Sequence, residues 1–373
     1  MKIIHNITRI SARDGGPALS VPSLANAQKQ TGHGVVIATA DTEGSFPEPN
    51  ANIAEIHRFE RDPPTLLGRS SQLADWLAKT EADVIHHHAL WHRTLHYAHG
   101  KAQRDNIRLI ISPRGMMMPW AMKHHQLRKE FARRFIHPHA FDRVNGWHAT
   151  SNFEADAIRA QGFNQPICVA PNGVRIPTAE QDNIAIDHWV KREPLINSRR
   201  VALFYSRFHS KKRIIECIDT WSEQAAPDWI LLMIGIPDQF GVDELRAYVL
   251  KSGAQGRVRI FDGTHRPPPY AVADLFLLPS HSENFGMVVA EALANRVPAI
   301  VTEGSPWEQL SSQHCGWFVP WSKYGETLAH ALKRSPQEFK TMGENGRSLM
   351  ISEFGWEKSA QSLLNFYATV RIS

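Results

Sequence analysis

The sequence has few cysteines and no long apolar run. Cys168, Cys217 and Cys315 lie far apart among 373 residues, and an odd number at wide spacing indicates neither a disulfide framework nor a metal site. No window holds the roughly 18 uninterrupted apolar residues that a membrane-spanning helix needs. The start, MKIIHNITRI, is too short and too polar for a signal peptide. We therefore expect a cytoplasmic protein, either soluble or peripheral at the inner face of the plasma membrane.

The composition predicts two globular domains. Hydrophobic residues make up 42% of the chain and charged residues 21%, which is enough to bury large cores. A length of 373 residues suits two domains of ordinary size. The charge is uneven, because residues 1–175 hold 21 basic and 15 acidic residues, whereas the remainder holds 21 basic and 22 acidic ones. The positive excess therefore belongs to the first half.

Strand-like and helical segments alternate along both halves. In the first half the strand-like runs are 2–9, 34–39, 52–56, 83–88, 108–112, 146–150 and 166–170, and the helical segments are 19–30, 68–79, 91–105, 120–141 and 152–161. The alternation pauses at Pro171-Asn172-Gly173, which marks a connector. It resumes with strand-like runs at 200–206, 229–235, 257–261, 274–279, 297–301 and 315–319, and the chain ends in an amphipathic segment over 354–370. This pattern predicts parallel sheets with helices on both faces.

The stretch from Leu277 to Trp307 places acidic residues and a glycine at the start of a helix. A buried strand gives way there to a loop that holds Glu283, and helical spacing resumes after it. Glu291 lies about 80° past two full helical turns from Glu283, so it can face the same side as the loop. Backbone N–H groups at a helix start suit an anionic or hydroxylated ligand; here they belong to Asn284, Phe285, Gly286 and Met287. The alternative is a surface helix with two solvated glutamates.

The string from Ser280 to Pro298 resembles the nucleotide-sugar motif of retaining glycosyltransferases of family 4, S-x-x-E-x-F-G-x-x-x-x-E-A-x-A-x-G-x-P, with Arg296 at a position where the family has glycine. The family is part of the group 1, glycogen-synthase-like GT-B superfamily. The resemblance implies an α/β fold of two doubly wound, Rossmann-like domains that face each other across a cleft. It implies an acceptor-binding domain at 1–175, a nucleotide-sugar-binding domain at 176–355, and a C-terminal helix at 356–373 that crosses back to the first domain.

Cationic residues for a leaving diphosphate follow the first strand of the second half. The run Tyr205-Ser206-Arg207-Phe208-His209-Ser210-Lys211-Lys212 resembles the family's G-R-x-x-x-x-K segment. The resemblance implies that Arg207 and Lys212 stabilise the charge that builds on the diphosphate; the alternative is a solvated loop. In the first half, Gly15 and Gly16 follow a strand and precede a helix, an arrangement that is compatible with phosphate. The chain contains no Asp-x-Asp, so we expect neither a metal nor another cofactor.

Two further segments resemble parts of the family, the second of them a turn of members that assemble bacterial surface polysaccharides. His86-His87-His88-Ala89-Leu90-Trp91 is similar to the family's H-x-H-G-L-W loop, which implies that His88 and Trp91 approach the cleft. A strand cannot turn three consecutive histidines toward one ion, so no metal site is expected here; buried or solvated histidines are the alternative. In Ser112-Pro113-Arg114-Gly115, Arg114 stands where many members carry a histidine that contacts the donor sugar. At that position Arg114 could bind a phosphate or an acidic sugar.

The segment 120–141 carries much of the positive excess. Between residues 120 and 143, six basic residues stand against Glu130 and Asp142. A basic amphipathic helix fits the surface of an anionic membrane; the alternative is an ordinary helix with its apolar face packed inward. No recognition motif accompanies the patch, so we do not expect nucleic acid as a partner.

These segments together predict a retaining, metal-independent hexosyltransferase. We expect it to move a hexose from a nucleotide-diphosphate sugar to a saccharide acceptor that is lipid-linked, in the biosynthesis of exopolysaccharide, capsule or O-antigen. Two alternatives stay open at this point. One is a nucleotide-sugar isomerase of the same fold, similar to the 2-epimerases, and the other is a non-catalytic protein that binds sugar nucleotides.

Overall fold

The chain folds into two compact α/β units. The computed structural model describes residues 1–10, 16–42, 54–123, 126–224 and 226–372, with the backbone alone at 126 and 128. Unit 1 comprises Met1–Gly173 and Gly355–Ser373, and unit 2 comprises Val174–Phe354. Within the described ranges, no helix is both long and apolar enough to cross a bilayer.

Unit 1 contains a seven-stranded sheet in the order β3-β2-β1-β4-β5-β6-β7, in which each strand pairs in parallel with its neighbours. Its strands are β1 Lys2–Ile7, β2 Gly34–Thr39, β3 Glu55–Arg58, β4 Val84–His88, β5 Arg108–Ser112, β6 Gly146–Ala149 and β7 Ile167–Val169. Its helices are α1 Gly16–Gln30, α2 Ser71–Lys79, α3 Arg93–Asp105, α4 Pro119–Lys123, α5 Gln126–Phe131, α6 Asn152–Arg159 and, at the end of the chain, α14 Trp356–Thr369.

Unit 2 contains a six-stranded sheet in the order β10-β9-β8-β11-β12-β13, again with parallel pairs. Its strands are β8 Arg200–Tyr205, β9 Trp229–Gly235, β10 Val258–Asp262, β11 Leu275–Leu278, β12 Ala299–Thr302 and β13 Gly316–Val319. Its helices are α7 Ala179–Arg192, α8 Ile214–Ser222, α9 Val242–Lys251, α10 Met287–Ala294, α11 Gln309–Ser312, α12 Trp321–Leu332 and α13 Pro336–Glu353.

The strands are apolar on both faces because helices cover both sides of each sheet. Successive residues of β8 show this: Val201 and Leu203 belong to one core layer, whereas Ala202 and Phe204 belong to the other. In unit 1, α14 supplies Leu363 to a core that also holds residues of α1, β1 and β4. The expected return of the C-terminal helix to the first domain is therefore confirmed, as is the prediction of two doubly wound α/β units.

Two predicted elements differ from the structure. The single helix predicted over 120–141 is wrong: α4 and α5 are followed by a π-helical turn, Ala132–Ile136. The helical path ends there because Pro138 has no backbone N–H and disfavours helical geometry at the residue before it. The strand predicted over 52–56 is displaced to β3, because parallel pairing with β2 begins only at Glu55; residues 52 and 53 lie outside the described residues.

The polar stretch after the connector also contains an element that the apolar pattern does not indicate. Helix α7 begins after Thr178, whose hydroxyl accepts from the Gln181 N–H while the Gln181 side chain accepts from the Thr178 N–H. This capping box satisfies two backbone donors at the helix start. One buried residue, Trp189, then anchors the helix by donating to the Pro267 carbonyl.

Candidate functional site

The strand order of unit 2 places two loops at one point of the sheet edge. The chain winds outward in one direction from β8 through β9 to β10 and in the other from β11 to β13. In open α/β sheets, ligands bind in the crevice outside the carboxyl ends of the strands where the winding reverses. That position lies between β8 and β11, and the loops after these strands carry Lys212 and Glu283.

A buried ion pair joins these loops. The Lys212 Nζ donates to Glu283 Oε1 at 2.5 Å, and the two side chains are only 11% and 9% exposed. Backbone bonding holds the loops in register, because the His281 N–H donates to the Lys211 carbonyl at 2.8 Å. Lys212 ends a short 3-10 turn, Ser210–Lys212, that the His209 side chain caps by accepting from the Lys211 N–H. The structure thus brings together two predicted site residues that are 71 positions apart.

The charges around the pair favour an ionised glutamate. Burial raises the pKa of Glu283, but the opposing effect of Lys212 and Lys211 outweighs it, so the pKa lies below its ordinary value. Burial lowers the pKa of Lys211, and Glu283 partly offsets this effect. Two ammonium groups are therefore coupled to one carboxylate. This excess of positive charge, in a place with little solvent, suits a polyanion such as a diphosphate.

Arg207, the other predicted cation, lies closer to the solvent. Its Nη1 donates to Asp238 Oδ2 at 3.3 Å, and its side chain is 45% exposed. An exposed pair with this geometry adds little stability, so the guanidinium can exchange its partner for a ligand at low cost. The partner, Asp238, follows β9, and no sequence motif points to it.

Glu291 lies in the middle of α10 and accepts a hydrogen bond from Tyr270. The phenol donates to Glu291 Oε2 at 2.6 Å, and the ring of Tyr205 meets that of Tyr270 edge-on with centroids 5.4 Å apart. Burial raises the pKa of Glu291, and the bond from Tyr270 partly offsets the rise. This phenol orients the Glu291 carboxylate, and the sequence analysis did not predict it. In the sequence, Tyr270 is marked only by the three prolines, 267–269, that precede it.

Backbone geometry brings the loop between β11 and α10 close to its neighbours. Gly286 precedes α10 with φ 80° and ψ 59°, a left-handed conformation that glycine adopts without strain. A Cβ on Gly304 would lie 2.3 Å from the His281 carbonyl oxygen, so only glycine fits there. The Glu283 N–H donates to the Gly304 carbonyl at 2.6 Å, and Trp307 donates from its ring to the Phe285 carbonyl. These contacts fix the loop that holds Glu283 and the helix start formed by residues 284–287.

The predicted site residues of unit 1 occupy different environments. His88 is fully buried, and its Nδ1 lies 3.1 Å from Nη2 of the partly exposed Arg114. Trp91 is half-buried, and its ring packs edge-on against Phe141. Gly16 is the first residue of α1, whereas Gly15 lies outside the described residues. The role of these residues in binding stays a prediction.

One histidine group of unit 1 has nitrogens close enough together to consider a metal. Ring nitrogens of His5, His86 and His88 lie within 4.8 Å of one another, and all three rings are buried. Each ring, however, makes hydrogen bonds to neighbouring side chains. The guanidinium of Arg114 also contacts His88 directly, and its positive charge opposes a second cation at this place.

Two family models match the chain, Glycosyltransferase Family 4 over residues 14–176 and Glycosyl transferases group 1 over residues 186–349. The chain belongs to the group 1 glycosyltransferases of family 4. Among curated relatives of this glycosyltransferase, a D-inositol 3-phosphate glycosyltransferase of Segniliparus rotundus is 27% identical over 60% of the chain and 50% of the relative. The lipopolysaccharide core biosynthesis mannosyltransferase LpsB of Rhizobium meliloti is 27% identical over 39% of the chain and 44% of the relative. The chain thus spans about half the length of the curated relatives it matches.

Solved structures confirm the GT-B fold of the glycosyltransferase. Sucrose-phosphate synthase from Thermosynechococcus elongatus aligns with a TM-score of 0.78 at 20% identity, over 99% of this chain and 98% of that one. Anabaena HepE, solved in complex with UDP, aligns with a TM-score of 0.77 at 18% identity, over 99% of this chain and 100% of that one. At these identities the likeness establishes the fold and leaves substrates to be argued from the site.

Proposed function

We propose that this glycosyltransferase moves a hexose from a nucleotide-diphosphate sugar to a lipid-linked saccharide acceptor in the biosynthesis of a bacterial surface polysaccharide. The observation that carries the proposal is the buried Lys212–Glu283 pair at the winding reversal of unit 2. The relatives support it by their own descriptions, since LpsB is a mannosyltransferase of lipopolysaccharide core biosynthesis and HepE was solved with UDP-glucose.

The donor would bind in unit 2. Glu283 accepts hydrogen bonds from hydroxyls of the hexose, and Glu291, oriented by Tyr270, accepts those of the ribose. Arg207 and Lys212 bind the diphosphate, and the backbone N–H groups of residues 284–287 complete the site. The contacts of the two carboxylates support these roles, because each is already held by a hydrogen-bond donor on unit 2.

The family resemblance favours transfer with retention of the anomeric configuration, and the cations of unit 2 are compatible with it. The acceptor hydroxyl attacks the anomeric carbon on the face from which the diphosphate departs, and the bond from that carbon to the phosphate oxygen breaks. The departing phosphate oxygen takes the acceptor's proton. Lys212 and Arg207 stabilise the negative charge on the diphosphate as it develops, which lowers the barrier more than it stabilises bound donor. Side-chain cations thereby fill the role that a metal ion has in other transferases.

The basic segment would contact an anionic membrane surface. Three of its apolar side chains are exposed, Leu127 by 88%, Phe131 by 58% and Phe135 by 63%. Lys123, Arg133 and Arg134 are exposed in the same segment. Exposed apolar side chains among basic ones are typical of a helix that lies in the headgroup region. This observation favours the membrane over the alternative of an inward-packed helix, and it fits a lipid-linked acceptor.

One experiment tests the proposed function. The full chain is offered UDP-, GDP- and ADP-hexoses with and without lipid-linked saccharides, in the presence of a chelator, and nucleoside diphosphate and the anomeric form of the product are measured. We expect that the release of nucleoside diphosphate depends on the acceptor and that the product retains the anomeric configuration of the donor sugar. Lys212→Ala should abolish this release, whereas Lys323→Ala, which removes an exposed cation of unit 2, should not.

Other outcomes would overturn the proposal. If the nucleotide sugar were converted to an isomer in the absence of an acceptor, the protein would be an isomerase. Donor binding without turnover for any acceptor tested would show a binding protein. If a chelator abolished turnover and a divalent cation restored it, the enzyme would depend on a metal ion.

A further inference from the structure

Unit 1 contains a buried hydrogen-bonded chain of polar side chains that the proposed donor chemistry does not use. We call it the histidine network; its members are Gln28, His5, His86, His88, His148 and Tyr367. The four histidines and Gln28 are at most 1% exposed, and Tyr367 is fully buried. The network runs from Arg114, at the carboxyl end of β5, to the carbonyl of Ala170.

The direction of each hydrogen bond in one half of the network follows from its fixed donors. The Arg114 guanidinium can only donate, so His88 Nδ1 accepts from it at 3.1 Å. The neutral ring of His88 then carries its proton on Nε2, which donates to His5 Nδ1 at 2.9 Å. His5 donates in turn from Nε2 to the Gln28 Oε1 at 2.7 Å.

The second half continues in the same sense. The Gln28 amide donates to the Tyr367 hydroxyl, which donates to His86 Nδ1 at 2.6 Å. His86 donates to His148, and His148 donates to the Ala170 carbonyl at 2.9 Å. Every histidine of the network is therefore satisfied as a neutral ring with its proton on Nε2. Burial, with the nearby Arg114 charge, lowers the pKa of His5 to about 4 and that of His148 to about 3, which agrees with neutral rings.

Among the described residues, the hydrogen-bond partners of the Arg114 guanidinium are neutral side chains. Its Nε and Nη2 contact His88, and its Nη1 donates to Asn172 Oδ1 at 2.9 Å. Within the described residues, no carboxylate forms an ion pair with it. The nearest carboxylate, Glu154, acts on Arg114 through its charge but does not contact it, because its oxygens accept from the N–H groups of Gly115 and Thr150. A partly buried charge without a counter-ion costs free energy unless a ligand supplies one.

The backbone at Arg114 is also strained. Arg114 has φ 53° and Gly115 has φ 81°, and the left-handed region is unfavourable for a residue other than glycine. The carboxylate of the fully buried Glu154 holds this turn through Gly115. Such strain persists only where the surrounding structure enforces it, and it directs the guanidinium onto His88 and Asn172.

The geometry points to an oxyanion site at Arg114, which takes a phosphate or carboxylate group of the acceptor. His88 of the histidine network and Asn172 supply neutral acceptors that fix the guanidinium without neutralising it, and the remaining N–H groups of Nη1 and Nη2 donate to the oxyanion. The assignment of the oxyanion to the acceptor rests on the proposed function. Binding of an oxyanion to unit 1 does not, since it needs neither the nucleotide sugar nor turnover.

The test follows the side-chain Nε–H signal of Arg114 by NMR in the full chain with 15N-labelled arginine. Inorganic phosphate, glucose 1-phosphate, glucuronate and neutral glucose are titrated into the wild type and three variants. Arg114→Gln identifies the signal. Asn172→Asp places a carboxylate beside Nη1 and so supplies the missing counter-ion. Arg104→Gln, which removes an exposed arginine of unit 1, is the matched control.

We expect the signal to shift with an oxyanion and not with glucose, in the wild type and in Arg104→Gln alike. Asn172→Asp should weaken binding at least about ten-fold, the size expected for a lost charge-assisted hydrogen bond, while its melting temperature stays the same or rises. A response to both phosphates but not to glucuronate identifies a phosphate, and the reverse identifies an acidic sugar. If no oxyanion shifts the signal, or if Asn172→Asp binds as the wild type does, the site does not exist, whatever the outcome of the transfer assay.

Discussion

The buried Lys212–Glu283 pair allows stability and activity to be separated. Lys212→Met removes the ammonium but leaves an alkyl chain of similar length, so Glu283 stays in a place where its side chain is 9% exposed. Loss of one partner of a buried pair costs about 3–5 kcal/mol. Lys211 remains coupled to Glu283 and offsets part of this cost, so we expect about 2–4 kcal/mol of lost stability. Glu283→Gln should cost a similar amount, because the amide oxygen still accepts from Lys212 but Lys212 and Lys211 lose their carboxylate.

The double variant decides between a structural and a catalytic role. In the double variant no carboxylate is left without Lys212, because both charges of the pair are removed. Lys212→Met with Glu283→Gln should therefore be more stable than Lys212→Met alone, with a coupling free energy of about 1–3 kcal/mol. Activity should not return, because the diphosphate still lacks its cation, and the loss in kcat should be about 100-fold or more. Urea unfolding and nucleoside diphosphate release measure the two quantities. Activity that recovers together with stability would refute the catalytic role of Lys212.

Three further predictions concern other parts of the molecule. The pKa values of His5 and His148 in the folded protein lie below the unfolded value of 6.5. As the pH falls below 6.5 the unfolded state therefore binds more protons than the folded state, and the free energy of unfolding should decrease between pH 6.5 and about 4. Equal stability in urea at pH 7 and pH 4.5 would contradict neutral rings. Tyr270→Phe removes the hydroxyl that donates to Glu291 and should raise the KM for the nucleotide sugar about 5- to 10-fold with kcat nearly unchanged. An unchanged KM in steady-state kinetics would show that Glu291 does not bind the nucleotide sugar. Phe131→Ser with Phe135→Ser should reduce sedimentation with vesicles that contain anionic lipid, while transfer to a water-soluble acceptor stays at the wild-type rate; undiminished binding to the vesicles would exclude this segment as the contact.

Local spacing in the sequence accounts for most of the fold. Strands that are buried on both faces form continuous apolar runs, as in Trp229–Gly235, where all residues are buried. The two sheets and the return of the last helix could therefore be predicted. The ends of elements depend on tertiary pairing and on caps instead. Helix α7, which buries mainly Trp189 and starts at a capping box, shows how weak the apolar signal of a real helix can be.

The site was predictable where its residues lie in one motif. Glu283 and Glu291 belong to a single stretch, but α10 begins only at Met287, so helical geometry fixes the position of Glu291 and not that of Glu283. The contact of Lys212 with Glu283 spans 71 residues; the family resemblance assigned both residues to nucleotide-sugar binding but did not predict their ion pair. The contacts of Tyr270 with Glu291 and of Arg114 with Asn172 had no such signal, because they depend on which loops the fold brings together.

The most direct measurement of the central claim compares the affinity of the full chain for nucleosides and for their diphosphates. If the cations of unit 2 hold the diphosphate, Lys212→Met should weaken binding of the diphosphate at least about ten-fold and leave binding of the nucleoside unchanged. Glu291→Gln should weaken both, because the ribose is common to them. Equal affinity of the wild type and Lys212→Met for the diphosphate, measured by calorimetry in the presence of a chelator, would contradict the account.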